Sequence, residues 1–120
     1  MSQALSSHNH VYRIATRSEW SLAQTSGKII ERPIDKKDGY FHLSTREQVL
    51  ETANLHFKSE SDLLALEFKV TELGSALKFE LAAKRGDYFP HFYGSLKTDD
   101  VTAVIPLLQN GGEFSFGLAQ

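Results

Sequence analysis

With 120 residues, 41% of them hydrophobic and 23% charged, the chain has the length and balance of one globular domain with a real core. Eight Phe, four Tyr and one Trp exclude a wholly disordered chain, and the lack of cysteine excludes disulfides, thiolate nucleophiles and cysteine-bound zinc, which fits a reducing, cytoplasmic setting. A formal charge of -2 with scattered basic residues offers no phosphate-tracking stripe: DNA is excluded as a partner and RNA disfavoured, while an anionic small ligand needs only one or two cations.

Residues 1–8 read as a loose polar tail without the pattern of a signal peptide, and no stretch approaches the ~20 apolar residues of a membrane helix. A strand over His10–Ala15 alternates Val11, Arg13 and Ala15 with Tyr12 and Ile14, giving one defined face and one mixed. Thr16 and Glu19 form a capping box that opens a helix of about three turns. Trp20 and Ala23 share its apolar face, with Leu22 beside them, and Gly27 ends it. Residues 28–40 form an irregular link whose Asp38-Gly39 pair marks a turn. A short strand, Tyr40–Leu43, leads into Ser44-Thr-Arg-Glu47, a second capping box overlapped by Thr45 and Gln48. The helix behind it carries Val49, Leu50, Ala53 and Phe57 on one face.

Asp62–Val70 is the clearest strand. Leu64, Leu66, Phe68 and Val70 lie on one face, and the mixed second face suggests partial cover. Ala76–Leu81 is another strand. Gly86–Gly94 contains Pro90 and two glycines, which favours an ordered loop or short edge segment over a central strand. Val101–Ile105 is a further strand, Asn110–Glu113 a turn, and Phe114–Phe116 a last strand. Two helices early and several strands, without repeat or linker, make a single α+β domain over residues 9–120.

Five histidines and a few carboxylates carry the candidate chemistry. His42 sits where a strand hands over to a helix N-terminus, suited to an anionic or hydroxyl-rich ligand. Its structural reading is a strand histidine bonded to a carbonyl. His91 lies in Phe89-Pro-His-Phe-Tyr-Gly94, where Tyr93 adds a hydroxyl, and its structural reading is an incidental member of an aromatic plug. Glu80 can orient a sugar or act as a base, or be a surface carboxylate. Ser44 and Thr45 read first as helix caps. Tyr12 and Arg13 read as an edge aromatic and a solvated cation, and Trp20 as core. His56 is a packing residue at the helix margin. His8-Asn9-His10 spells a nuclease label without the surrounding hairpin and helix. There is no H-E-x-x-H, so no metal is expected. There is also no G-x-S-x-G elbow, P-loop or G-x-G-x-x-G.

Gly39-Tyr-Phe-His-Leu-Ser44 and Phe89-Pro-His-Phe-Tyr-Gly-Ser-Leu96 together resemble the paired signature of the family catalogued as domain of unknown function 952. Tyr12, Trp20, Thr52-Ala-Asn54 and Phe79-Glu80 follow in the family's order, so the resemblance spans roughly residues 10–115. Ser95 departs from the family's usual Pro.

That family's fold resembles the ADP-ribosyltransferase group and the related RNA 2′-phosphotransferases, which implies a small split-sheet domain with a cleft for NAD or an ADP-ribosylated intermediate. The resemblance implies that His42 holds a ribose, with Ser44, Thr45, Tyr93 and Arg13 as further binding residues. It implies a catalytic set of His42, Glu80 and His91, in which Glu80 or His91 takes the place of a catalytic glutamate. No arginine set surrounds a phosphate, which argues against RNA 2′-phosphotransfer. The expected function is a nucleotide-like or ADP-ribose-type ligand-binding cleft around His42 and His91. An NAD-dependent transferase and a non-catalytic interaction domain stand as alternatives. Oligomeric state, monomer or small homo-oligomer, is open.

Overall fold

The computed structural model describes residues 8–120, so the loose tail expected for residues 1–7 lies outside the described residues. His8 is within them, and its ring stacks on Phe79 at 5.6 Å. β1 (His10–Thr16), β3 (Leu63–Lys69), β6 (Val101–Asn110) and β7 (Glu113–Phe116) form an antiparallel sheet in the order β1-β3-β6-β7. β2 (Phe41–His42), β4 (Leu77–Ala82) and β5 (Asp87–Phe92) form a second, in the order β2-β5-β4.

Among the described residues, four short α-helices lie in the connections. α1 (Arg17–Ser26) is capped by Thr16 and Glu19 as the sequence predicts. α2 (Pro33–Asp38) replaces the irregular link. Pro33 opens it, where a missing N–H costs nothing. The Asp35 carboxylate reaches back to the Arg32 N–H at 2.7 Å, and Gly39 ends the helix at φ 84°, a conformation only glycine adopts without strain. α3 (Val49–His56) packs on the large sheet, and α4 (Val70–Leu73) ends β3.

Two cores flank the large sheet. Leu64, Leu66 and Phe68 of β3 face Val11, Phe41, Leu77 and Phe92, which fuses the large sheet to the small one. Leu63 and Ala65 face Val49, Ala53, Ile105 and Phe114 beneath α3. β3 is therefore buried on both faces, not partly covered, as expected of a strand with neighbours on each side and packing above and below. Leu22 is 61% exposed, off the Trp20–Ala23 face, because the core meets α1 along a narrow stripe.

Three further elements differ from expectation. Gly86–Gly94 is not a loop or edge: β5 is the middle strand of its sheet. Pro90 is tolerated because a strand residue's N–H and C=O point to one side. Its carbonyl accepts the Leu43 N–H at 3.1 Å, so the absent N–H lies on that same side, past the end of β2. β6 runs through Pro106 to Asn110, longer than Val101–Ile105, and the Gly111-Gly112 turn follows. The Ser44–Glu47 capping box does not form. Ser44 is held extended by two backbone bonds with Tyr12, each 2.8 Å, and the helix starts only at Val49.

That last detail shapes the molecule. Phe41 and His42 pair with β5, and two residues later Ser44 bridges to β1. One short segment thus ties the two sheets together, and a cleft opens beside it.

Candidate functional site

The cleft has a volume of about 540 Å³, within the range of small-ligand sites. Ile14, Ile34, Leu43, Phe57, Leu81 and Phe89 give it apolar walls, and Arg32, His42, Ser44, Thr52, His56, Arg85 and His91 line it with polar groups. His42 and His91 are paired directly across β2 and β5, with ring centroids 5.8 Å apart. Tyr40 lies against both. Its ring stacks on His91 at 3.9 Å and meets His42 at 4.7 Å.

His42 is anchored from below. Its Nδ1 is 2.7 Å from Asp35 Oδ1 and its Nε2 2.9 Å from Asp38 Oδ2. Both ring nitrogens therefore face carboxylate acceptors. Asp35 is fully buried. It also accepts two bonds from Arg13, at 3.1 and 2.6 Å, and one each from the N–H of Arg32 and of His42. Burial alone raises a carboxyl, but the bonds from His42 and Arg13 outweigh it and hold Asp35 well below the usual carboxylate range.

His91 is held differently. Its Nδ1 is 2.8 Å from Glu80 Oε1 on β4, and the same oxygen accepts the Tyr93 hydroxyl at 2.6 Å. Burial pushes the His91 imidazole below its ordinary value, with the Glu80 charge opposing that shift. The Tyr93 hydroxyl and then His91 lower the Glu80 carboxyl, and the bond to Glu80 pushes Tyr93 up to about 12. Burial, then the charges of Asp38 and Glu80, raises Tyr40.

The expected residues thus divide. His42, His91 and Ser44 line the cleft, and Glu80 supports His91 from behind. Tyr93 stands outside the lining, 41% exposed. Thr45 is buried, its backbone N–H donating to Gln48 Oε1 at 3.0 Å. Arg13 is no solvated cation and does not line the cleft. It is 2% exposed, and its guanidinium donates to Asp35, His42 O and Ile30 O. His56 is exposed and lines the rim of the cleft instead of packing. Among the described residues, no group of three His, Cys, Asp or Glu side chains is placed to hold a metal ion.

Sequence reasoning missed Asp35, Asp38, Tyr40 and the two cleft arginines. Arg85 donates to Glu51 and Thr52 from one nitrogen and lies 4.5 Å over the Phe89 ring. Arg32 pairs with Glu19 at 2.7 Å and lies 4.9 Å over Phe57. The signal for Asp35 was present in Pro33 and Gly39, which bracket a helix with an acidic residue at its third position.

A model for the family described as "Protein of unknown function (DUF952)" matches residues 14–104. The chain is 34% identical to the protein CC0527 from Caulobacter crescentus in its crystal structure, with a TM-score of 0.80 over 88% of this chain and 93% of that one. The solution NMR structure of the same protein matches with a TM-score of 0.77 at 33% identity, over 88% and 90%. No curated protein matches the chain. No helix is long and apolar enough to cross a membrane among the described residues.

Proposed function

The chain belongs to the DUF952 family, and we propose that it binds a nucleotide-like small molecule of the ADP-ribose or NAD class in the cleft between its two sheets. The observation that carries this reading is the pairing of His42 with His91 on one wall of a cavity of about 540 Å³ that joins apolar surface to a few polar groups. Ligand sites of this size combine apolar surface with a few convergent polar groups. The apolar walls suit the faces of a base and a ribose. Arg32 and Arg85 each keep a guanidinium nitrogen outside their protein bonds, which suits phosphate. The two sheets joined at Ser44 are read here as an ADP-ribosyltransferase-like split-sheet arrangement.

Titration calorimetry with ADP-ribose and NAD tests the reading. The native chain is expected to bind saturably, and Arg85→Ala to weaken binding about tenfold, the loss of one charge-assisted bond. His42→Ala, checked for folding by circular dichroism, is expected to lose binding as well. Absence of saturable binding at millimolar ligand sinks the nucleotide reading and returns both histidines to a structural role.

A further inference from the structure

An unpaired sheet edge is a template for another strand, and folded proteins cover such edges. Among the described residues, three of the four sheet edges are covered. On β1 the Tyr12 N–H and C=O both bond to Ser44, and Arg32 donates to Ile14 O. On β2 the His42 N–H donates to Asp35, and its carbonyl accepts from Arg13. On β7 the Phe114 N–H donates to Asn54 Oδ1 at 2.9 Å, and the Arg46 guanidinium lies 4.1 Å over the Phe116 ring. β4 is the fourth edge, and alternation fixes which of its groups face outward. Pro90 turns its carbonyl to Leu43. Phe79, opposite Pro90, therefore turns its N–H and C=O away from β5, and Leu81 does the same two residues on. Ala76, of the inward set, accepts the Tyr93 N–H at 2.9 Å. No described residue bonds to the outward groups of Phe79 and Leu81.

The side chains along this edge are their own complement. Leu77-Lys78-Phe79-Glu80-Leu81 runs apolar, basic, apolar, acidic, apolar about Phe79. In an antiparallel pair of two such strands centred on Phe79, Phe79 meets Phe79, Lys78 meets Glu80 and Leu77 meets Leu81. The two Phe79 residues exchange both backbone bonds, and each Leu81 N–H reaches a Leu77 carbonyl, while the Leu77 N–H stays on Gly74 O. Lys78 and Glu80 fall at the closer, non-hydrogen-bonded positions, where opposite charges attract. The neighbouring register, with Phe79 opposite Leu81, sets Glu80 against Glu80 and is disfavoured by like charge. Lys78 is exposed and Leu81 is 56% exposed, so both are open to a partner. Phe79 is fixed by packing against the core and by the His8 ring at 5.6 Å, so the edge is preformed.

We propose that β4 is a docking edge for a second copy of this chain, the two strands pairing antiparallel through Leu77–Leu81 so that two small sheets become one. The charge match of Lys78 with Glu80 selects the occupant and the register. The pairing also reaches the cleft. Glu80 is the carboxylate that holds His91 Nδ1 at 2.8 Å and the Tyr93 hydroxyl at 2.6 Å, and Lys78 lies opposite His91 across β4 and β5. Each copy thus adds a lysine beside the group that supports the other's His91, whose Nε2 makes no hydrogen bond among the described residues. Five residues a side make a small interface, so the dimer is weak and forms with rising concentration. The proposal is independent of what the cleft binds.

Sedimentation velocity on the full chain tests it. The native chain is expected to pass from monomer toward dimer between ~10 μM and ~1 mM, and less so at high salt, because the charge pairs are exposed. Lys78→Glu sets acid against acid and Glu80→Lys base against base, so each alone is expected to weaken self-association about tenfold or more. An equal mixture of the two variants is expected to form a mixed dimer, and the double exchange Lys78→Glu with Glu80→Lys to recover the native one. Leu81→Pro removes an outward N–H, which an edge strand tolerates, and is expected to abolish the dimer. Circular dichroism checks each fold, and Lys78→Glu, at an exposed position, decides the matter where Leu81→Pro does not fold. A chain that stays monomeric at ~1 mM overturns the proposal. So does a dimer that Lys78→Glu leaves unchanged, or a mixture of the two charge variants that does not associate.

Discussion

His42 and His91 are neighbours across one strand pair, yet the regions behind them are built on opposite terms. Behind His42 lies a closed network. Asp35 is buried and accepts from Arg13, Arg32 and His42, and Arg13 is itself 2% exposed. Behind His91 lies an open one, where Glu80 is 39% exposed and Tyr93 stands in solvent contact. A buried, saturated network resists change because removing one member strands the rest. An open network gives little stability, but it leaves a nitrogen free. The first region is built to hold a shape and the second to present a group.

That contrast breaks most directly at Asp35. Asp35→Ala leaves the Arg13 guanidinium buried without its partner, and the expected loss is about 3–5 kcal/mol, read from the urea unfolding midpoint. A loss under about 1 kcal/mol refutes the closed-network description. The pH dependence follows from the direction of the shift. Asp35 is held below the usual carboxylate range when folded, so its stabilisation is fully present above the unfolded value of about 3.9 and is lost as pH falls toward the folded value. The gap between native and mutant is therefore expected to be flat from pH 7 to about 5 and to narrow below about 4.

A double-mutant cycle sharpens the same point. Arg13→Met alone strands Asp35 in turn, with an expected cost again near 3 kcal/mol. Arg13→Met combined with Asp35→Leu removes both charges, so the double mutant is expected to be more stable than the sum of the singles by about 1–3 kcal/mol. Simple additivity means that the two charges do not act as a unit.

Gln48 tests a smaller anchor between the regions. Its side chain accepts from Thr45 N–H at 3.0 Å and donates to Asp87 at 3.0 Å and Tyr88 O at 2.8 Å, tying the start of α3 to β5. Gln48→Ala is expected to cost about 1–3 kcal/mol and to raise hydrogen exchange at Tyr88 and Phe89. Unchanged exchange there shows that β5 is held without it.

The contrast also explains what could be read in advance. α1 was legible because its cap, apolar stripe and terminating Gly27 are local features. β3 was legible because alternation of Leu64, Leu66 and Phe68 is a local pattern. β5 was not, since whether Pro90 interrupts a strand depends on which neighbour its missing N–H faces, and β2 lies more than forty positions away. Ser44 carried sound cap chemistry, but its bridge to Tyr12, 32 residues earlier, took the backbone first, while Thr45 keeps half of the overlapping box through its N–H bond to Gln48 Oε1. The histidines were legible by residue type and by the family pattern. Asp35, Arg13 and Arg85 were not, because only the fold joins them to the cleft. A cation read as solvated proved to be the most buried polar side chain of its strand for that reason.

The open region carries the smallest expected effects. Glu80→Gln is expected to change stability by less than about 1 kcal/mol, the usual scale for exposed ion pairs, in contrast to Asp35. Its clearer trace is on Tyr93, which sits at about 12 because its hydroxyl donates to the Glu80 carboxylate. Replacing that charge with an amide removes the main cause, so Tyr93 is expected to titrate nearer the ordinary tyrosine value of about 10, followed by NMR of the ring with Tyr93→Phe as the assignment control. A Tyr93 value unmoved by Glu80→Gln means that this hydrogen bond does not persist in solution. The open network then loses the contact that holds Glu80 toward His91, and the two regions differ less than their geometry suggests.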